Sequence, residues 1–278
     1  MSLLSNRSLH LHVGVLSVRG TLRARWLPRK ALASSSQEFD RLMPEQSGTL
    51  LDSAIGKPCC MAMDAVLSDL RAKASSSKPR LSVVLADSCV HFDVVQGDYG
   101  AASDRHLQSI AMACIGEVLG DGAASQVIRW QLQPDSQHLL ISCIDQRDVS
   151  MVKQAASTHG LQVHSLQPDF CVQWNQYART LPTSRCVFAT VNEGYAIVAY
   201  AQHGTIMALS CGLSFSANGA PDQGTHTGHT IDERADRLLA SLGQEASDIS
   251  TFVLVTSDPQ DVPNVSRWTL FNSSKDPV

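Results

Sequence analysis

The sequence predicts a mixed α/β protein built from two similar halves with a cleft between them. Three observations carry this expectation. Residues Cys186–Val191 run through Asn192-Glu193-Gly194 into Tyr195–Ala201, then through His203-Gly204 into Thr205–Ser210. This is a unit of three short strands, rich in β-branched and aromatic residues and joined by Gly-bearing turns. A shorter version opens the chain, where Leu9–Val15 leads through Ser17–Gly20 into Thr21–Trp26. Between and after these units, helical and strand periodicities alternate, as expected of sheets covered by helices.

Taken in order, the elements follow from local chemistry. After the opening hairpin, Ser34–Ser53 is polar and reads as a loop. Met63, Val66, Leu67 and Leu70 share helical spacing within Cys59–Lys73, and Ser75-Ser76-Ser77-Lys78-Pro79 ends that helix. Leu81–Ala86 is an apolar strand, Ser88 a turn, and Val90–Val95 the return. Asp104–Leu119 carries Leu107, Ile110, Ala111, Cys114, Ile115 and Val118 on one stripe, with Ser103 as N-cap and Gly120-Asp121-Gly122 as stop. Gln126–Leu132 and His138–Ile144 form a hairpin across Pro134-Asp135-Ser136. Asp145 caps a helix that runs to His159 and ends at Gly160, with Val149, Val152 and Ala156 inward. Leu161–Leu166 is a strand, and Pro168-Asp169 starts a helix bearing Phe170, Val172, Trp174 and Tyr177. A short polar linker, Arg179–Ser184, precedes the three-stranded unit. Ser214–His229 is a Gly-, Asn- and His-rich loop. Thr230 and Glu233 have the spacing of a capping box for the helix Ile231–Leu242, with Leu238 and Leu239 on its apolar face. Phe252–Thr256 is a buried strand, Trp268–Phe271 the last one, and Asn272–Val278 a frayed tail.

Composition narrows the function classes. The 278 residues suffice for one large domain or two lobes with a sizeable core. A net charge of −4 and a pI near 6.2 advertise no nucleic-acid-binding face. The local run Arg19, Arg23, Arg25, Arg29 and Lys30 reads as a solvated strand face. No stretch approaches the ~20 apolar residues of a membrane span. The first residues lack the apolar core of a signal peptide, so a cytoplasmic location is expected. The eight cysteines are scattered, without a CxxC, and read as free buried thiols.

In this order of elements the chain resembles the actin-like cytoplasmic components of type IV pilus and type II secretion assembly platforms, the PilM-like proteins and the cytoplasmic region of GspL. The most specific stretch is Leu161–Leu213: a Gly-Leu-x-Val strand, a Pro-started helix, a short linker and the three-stranded unit in succession. The resemblance implies an actin-like (ribonuclease-H-like) two-lobed fold, with lobes at residues 1–180 and 181–278. It further implies a scaffold peripheral to the inner membrane, which binds platform subunits through a cytoplasmic peptide or through the assembly ATPase. ATP-binding members of that superfamily carry Asp-x-Gly-type turns that cradle phosphate and organise Mg²⁺. Here the first turn, Val13–Arg19, holds Gly14 and Ser17 but no carboxylate. The second, Asn192-Glu193-Gly194, has Asn in the place of Asp. A further signature of those members, a Gly-Gly pair after a late strand that packs against the adenine, corresponds here to Thr256-Ser257-Asp258-Pro259, which has no glycine. The resemblance thus makes Gly14, Ser17, Asn192, Glu193 and Gly194 a degenerate phosphate site. Catalysis, cofactor and metal are not expected. The alternative is an ATP-binding or ATP-hydrolysing actin-like or sugar-kinase-like enzyme with an unorthodox phosphate site, for which Glu193 is the candidate Mg²⁺ ligand.

Other constellations have plainer readings. His226-x-x-His229, with Asp222 and Asp232 nearby, has metal-ligand residue types, but the glycines around it mark a surface loop. Asp87 and Asp93 flank the turn at Ser88 and read as turn and strand-face residues, with no nucleophile beside them. Asp232, Glu233 and Asp236 suit the N-terminal end of their helix dipole. Asn192-Glu193-Gly194 also reads simply as hairpin chemistry, with Asn and Gly taking positive φ.

Overall fold

The computed structural model describes residues 7–24, 31–39, 55–74, 79–181, 184–213, 230–256 and 267–272. Two five-stranded sheets repeat one topology. The first contains β1 (Arg7–Val13), β2 (Ser17–Ala24), β3 (Ala31–Glu38), β4 (Arg80–Leu85) and β8 (Val163–Pro168), in the order β3-β2-β1-β4-β8. The second contains β9 (Cys186–Asn192), β10 (Tyr195–Gln202), β11 (Thr205–Leu213), β12 (Thr251–Thr256) and β13 (Trp268–Asn272), in the order β11-β10-β9-β12-β13. In each, the first three strands form an antiparallel meander, and the last two return parallel beside the first. Between β4 and β8 the chain inserts a small antiparallel sheet, β5 (His91–Gln96), β6 (Gln126–Leu132) and β7 (His138–Asp145), ordered β5-β7-β6.

One expectation fails in the first sheet. The serine-rich segment read as loop begins as strand β3, antiparallel to β2 with Ser34, Ser35 and Ser36 opposite Thr21, Gly20 and Arg19. Its side chains are largely exposed, so an edge strand there needs no hydrophobic alternation, and only pairing with β2 makes it a strand. Residues 40–53 of the polar segment, the Gly- and His-rich stretch 214–229, and residues 273–278 lie outside the described residues, whereas Asn272, read as the start of the frayed tail, ends the last strand, Trp268–Asn272.

Among the described residues five α-helices cover the sheets: α1 (Lys57–Lys73), α2 (Asp104–Leu119), α3 (Gln146–Thr158), α4 (Asp169–Tyr177) and α5 (Ile231–Ser241). The expected caps are present. Ser103 accepts from the His106 N–H, and Asp145 from the Arg147 N–H; Thr230 and Glu233 form a reciprocal capping box. Strand periodicity sorts the core. In β9, Val187, Ala189 and Val191 face α5, whereas Cys186 and Phe188 face the first sheet. In β7, Leu139, Ile141 and Cys143 pack under α2, and Leu140 and Ile144 join the main core. That main core takes residues from both five-stranded sheets, among them Leu9, Leu11 and Val13 with Phe188, Ile197 and Val255. Helix α4 is the aromatic spine between them. Phe170 lies 5.6 Å from Phe92 and 6.0 Å from Phe188, edge to face, and Trp174 lies 5.4 Å from Phe188.

Candidate functional site

The hairpin turns at the heads of the two sheets meet. In β9–β10 the turn residues are Glu193 (φ 49°) and Gly194 (φ 73°), with Asn192 and Tyr195 as the flanking pair. Two consecutive left-handed residues define the two-residue turn that matches strand twist. The left-handed positions therefore fall on Glu193 and Gly194, not on Asn192, which closes β9. This turn carries the Glu193 side chain across to the β1–β2 turn. Its Oε2 accepts from the Val15 N–H at 2.5 Å and the Leu16 N–H at 3.1 Å, and its Oε1 accepts from the Ser17 hydroxyl at 2.7 Å. The Gly14 N–H closes the receiving turn onto the Ser17 carbonyl at 2.8 Å. Gly14 leaves the Glu193 carboxylate its place. A Cβ on it would stand 2.3 Å from Glu193 Oε1 and 2.5 Å from Oε2. Gly14, Ser17, Glu193 and Gly194 are thus brought together, and the donors of the first turn close on a carboxylate of the second.

Asn192 goes elsewhere. Its amide donates to Asp169 Oδ2 at the start of α4, and Gln173 donates to Asp169 Oδ1 at 3.1 Å. Beside this pair, Asp87 accepts from the Phe170 N–H at 2.7 Å and the Thr190 hydroxyl at 3.1 Å. Asp87, Asp169, Thr190 and Asn192 are all buried. Burial, and next the nearby Asp169 charge, push the Asp87 carboxyl well above the ordinary range. Asp87 belongs with Asp169, whereas Asp93 accepts from the N–H of its neighbour Val94. Sequence spacing alone had set Asp87 against Asp93. The signal for Asp87 was a carboxylate ending an apolar strand; for Asp169 it was an acid directly after Pro168 at a helix start.

The inserted sheet makes a third tie. Gln133, 4% exposed, accepts from the Ile206 N–H of β11 at 3.2 Å through its Oε1. The inserted sheet and the first sheet also leave a groove of about 580 Å³. Strands β6 and β8 border it, and each pairs on one side only among the described residues. Arg129, Trp130, Ser142, Lys153, His164 and Ser165 are among its lining residues, none of which is acidic. Sequence reasoning did not find this groove, because its two edges are 31 residues apart at their nearest ends, Leu132 to Val163, and meet only through topology.

The remaining candidates are structural or lie outside the described residues. His226, His229, Asp222, Ser257, Asp258, Arg25, Arg29 and Lys30 fall in the latter group. Asp232 binds Arg267 at 2.5 Å and the Trp268 indole N–H at 3.0 Å, and Asp236 binds Arg267 at 2.8 Å. No cluster of metal-ligating side chains stands among the described residues. No described helix is long and apolar enough to cross a membrane.

Doubled five-stranded sheets of one topology, joined head to head at their first hairpins, define the actin-like fold. Solved structures agree. The chain is similar to the cytoplasmic domain of EpsL, an inner membrane component of the type II secretion system of Vibrio cholerae, with TM-score 0.56 and 10% identity over 96% of this chain and 90% of that one. It is similar to a Bacteroides thetaiotaomicron protein of actin-like ATPase fold and unknown function, with TM-score 0.55 and 9% identity over 98% and 93%. It is also similar to a chain of the PilM–PilN type IV pilus biogenesis complex, with TM-score 0.52 and 15% identity over 73% of this chain and 60% of that one. No family model and no curated protein sequence matches the chain.

Proposed function

We propose that this chain is a non-catalytic actin-like scaffold of a bacterial type IV pilus or type II secretion inner-membrane platform, with residues 1–180 and 181–278 as its lobes. It works by binding partner subunits from the cytoplasmic side. The observation that carries the reading is the groove between β6 and β8. Two strand edges that are unpaired among the described residues border it, so an extended segment laid there gains main-chain hydrogen bonds. Arg129, Lys153 and His164 add donors, while Trp130, Leu140 and Val163 add apolar surface. Two observations support binding over turnover. The amides that would face a phosphate already hold Glu193, and Asn192, at the usual place of a metal-organising acid, is tied to Asp169. The likeness to a secretion component and to a pilus complex agrees in kind.

The test pairs two titrations of the purified protein. Cytoplasmic segments of inner-membrane pilus and secretion proteins encoded beside this gene are synthesised as peptides and titrated by fluorescence anisotropy. One of them should saturate, and Ser165→Trp, which fills the groove, should weaken it at least tenfold with an unchanged melting temperature. MgATP at millimolar concentration should produce neither heat nor a thermal shift, since a native-state ligand above its Kd must raise the melting temperature. Saturable MgATP binding with hydrolysis would sink the scaffold reading.

A further inference from the structure

The geometry points to a self-ligated latch: Glu193 is a built-in anionic ligand of the β1–β2 turn and holds the two sheets together in the place where an external oxyanion would. The receiving turn has the features of an anion cradle. Two successive backbone N–H groups, of Val15 and Leu16, converge on one carboxylate oxygen, and a hydroxyl, of Ser17, donates to the other. Gly14 leaves bare the space that the carboxylate group enters, to within 2.3 Å of where a Cβ would lie. The ligand arrives from 176 residues away, on a turn whose backbone is held in the left-handed region at a non-glycine residue. A glutamate in that conformation costs more than asparagine or glycine would, and the three charge-assisted hydrogen bonds offset it.

The consequence is a closed molecule that needs no bound nucleotide to stay closed. The same residues also imply what the cradle accepts once vacated. Its donors point to a small tetrahedral or planar oxyanion of the phosphate or carboxylate class. Around it stand Cys59, whose thiol lies 3.9 Å from the Gly14 carbonyl, and the backbone of the turn itself. The inference rests on the non-catalytic reading only in sharing Glu193, and does not depend on what fills the groove.

Glu193→Ala vacates the cradle and Glu193→Gln keeps its shape without the charge. Amide hydrogen exchange at Val15 and Leu16 is measured in both variants and in the wild type, and inorganic phosphate is titrated against the ¹H–¹⁵N shifts of the same amides. In the wild type these amides should exchange slowly and stay unmoved by phosphate. In Glu193→Ala they should exchange at least tenfold faster and shift saturably with phosphate, and Glu193→Gln should fall between. Amides of β13, the far edge strand of the second sheet, should be unchanged in all three and report that the variants are folded. If Glu193→Ala does not fold, Glu193→Gln alone decides: unchanged exchange overturns the latch, and faster exchange supports it. Equal exchange in Glu193→Ala and wild type, phosphate binding to both alike, or faster exchange without phosphate binding would each overturn the proposal. MgATP hydrolysis, the failure mode of the scaffold reading, is a separate readout.

Discussion

Asp87 is a residue whose chemistry the fold changes. Its carboxyl holds a proton more tightly than in an unfolded chain, because burial, then the Asp169 charge, disfavour the anion. With the folded value raised, that contribution to stability is full below the unfolded carboxyl range and is lost as pH rises through the folded value. Asp87→Asn keeps an acceptor for the Phe170 N–H and places a donor toward the Thr190 hydroxyl. Melting curves taken from about pH 4 to about pH 9, a window that starts at the ordinary carboxylate value, should therefore separate with rising pH, the variant melting higher. Curves that stay parallel would show that Asp87 does not titrate differently on folding. The thiols give a second residue-scale expectation. Burial pushes Cys143 and Cys186 up to about 11, and Cys59, Cys171 and Cys211 up to about 12. Near pH 8 these thiols stay protonated, and protonated thiols react slowly. A thiol reagent should label the half-buried Cys60 and Cys114 first and reach all eight cysteines only after denaturation.

At the scale of elements, α5 and β13 are held by polar contacts as well as by apolar packing. Thr230 accepts from the Glu233 N–H at 3.2 Å and Glu233 returns the bond at 3.1 Å, so Thr230→Ala should cost about 1 kcal/mol in urea unfolding. Arg267 joins two acids of α5 to β13 and stacks over Phe252 at 4.7 Å. Arg267→Ala should speed exchange of the β13 amides while leaving β1 and β2 unchanged, since β13 is an edge strand bonded only to β12 among the described residues.

At the scale of the molecule, the two sheets share one core. Phe188 is fully buried, lies on β9, and touches the aromatic spine of α4 that also contacts Phe92. Phe188→Ala should cost about 3–5 kcal/mol, with one cooperative transition and faster exchange in β1 as well as β9. Two separated transitions would show that the halves unfold independently.

Much of the fold was legible in the chain itself. The hairpins, the inserted β6–β7 turn, the caps at Ser103, Asp145 and Thr230, and the Pro168 helix start depend on residues within a few positions of one another, where backbone sterics and local hydrogen bonds decide. Strand β3 was not legible, since Ala31–Glu38 has no strand signature and is recruited by its neighbour's free edge. Glu193 was legible as a turn residue facing a cleft, and its partners were not. Whether its carboxylate meets water, a metal or the amides of Val15 and Leu16 depends on where a second turn, 176 or more residues earlier, is placed by packing. The groove edges β6 and β8 and the Asp87–Asp169 pair belong to the same class. Sequence by itself determined the periodic elements and their order, because these are local; only the tertiary structure decided which polar groups meet, because such contacts are set by topology and by the burial of both sheets in one core.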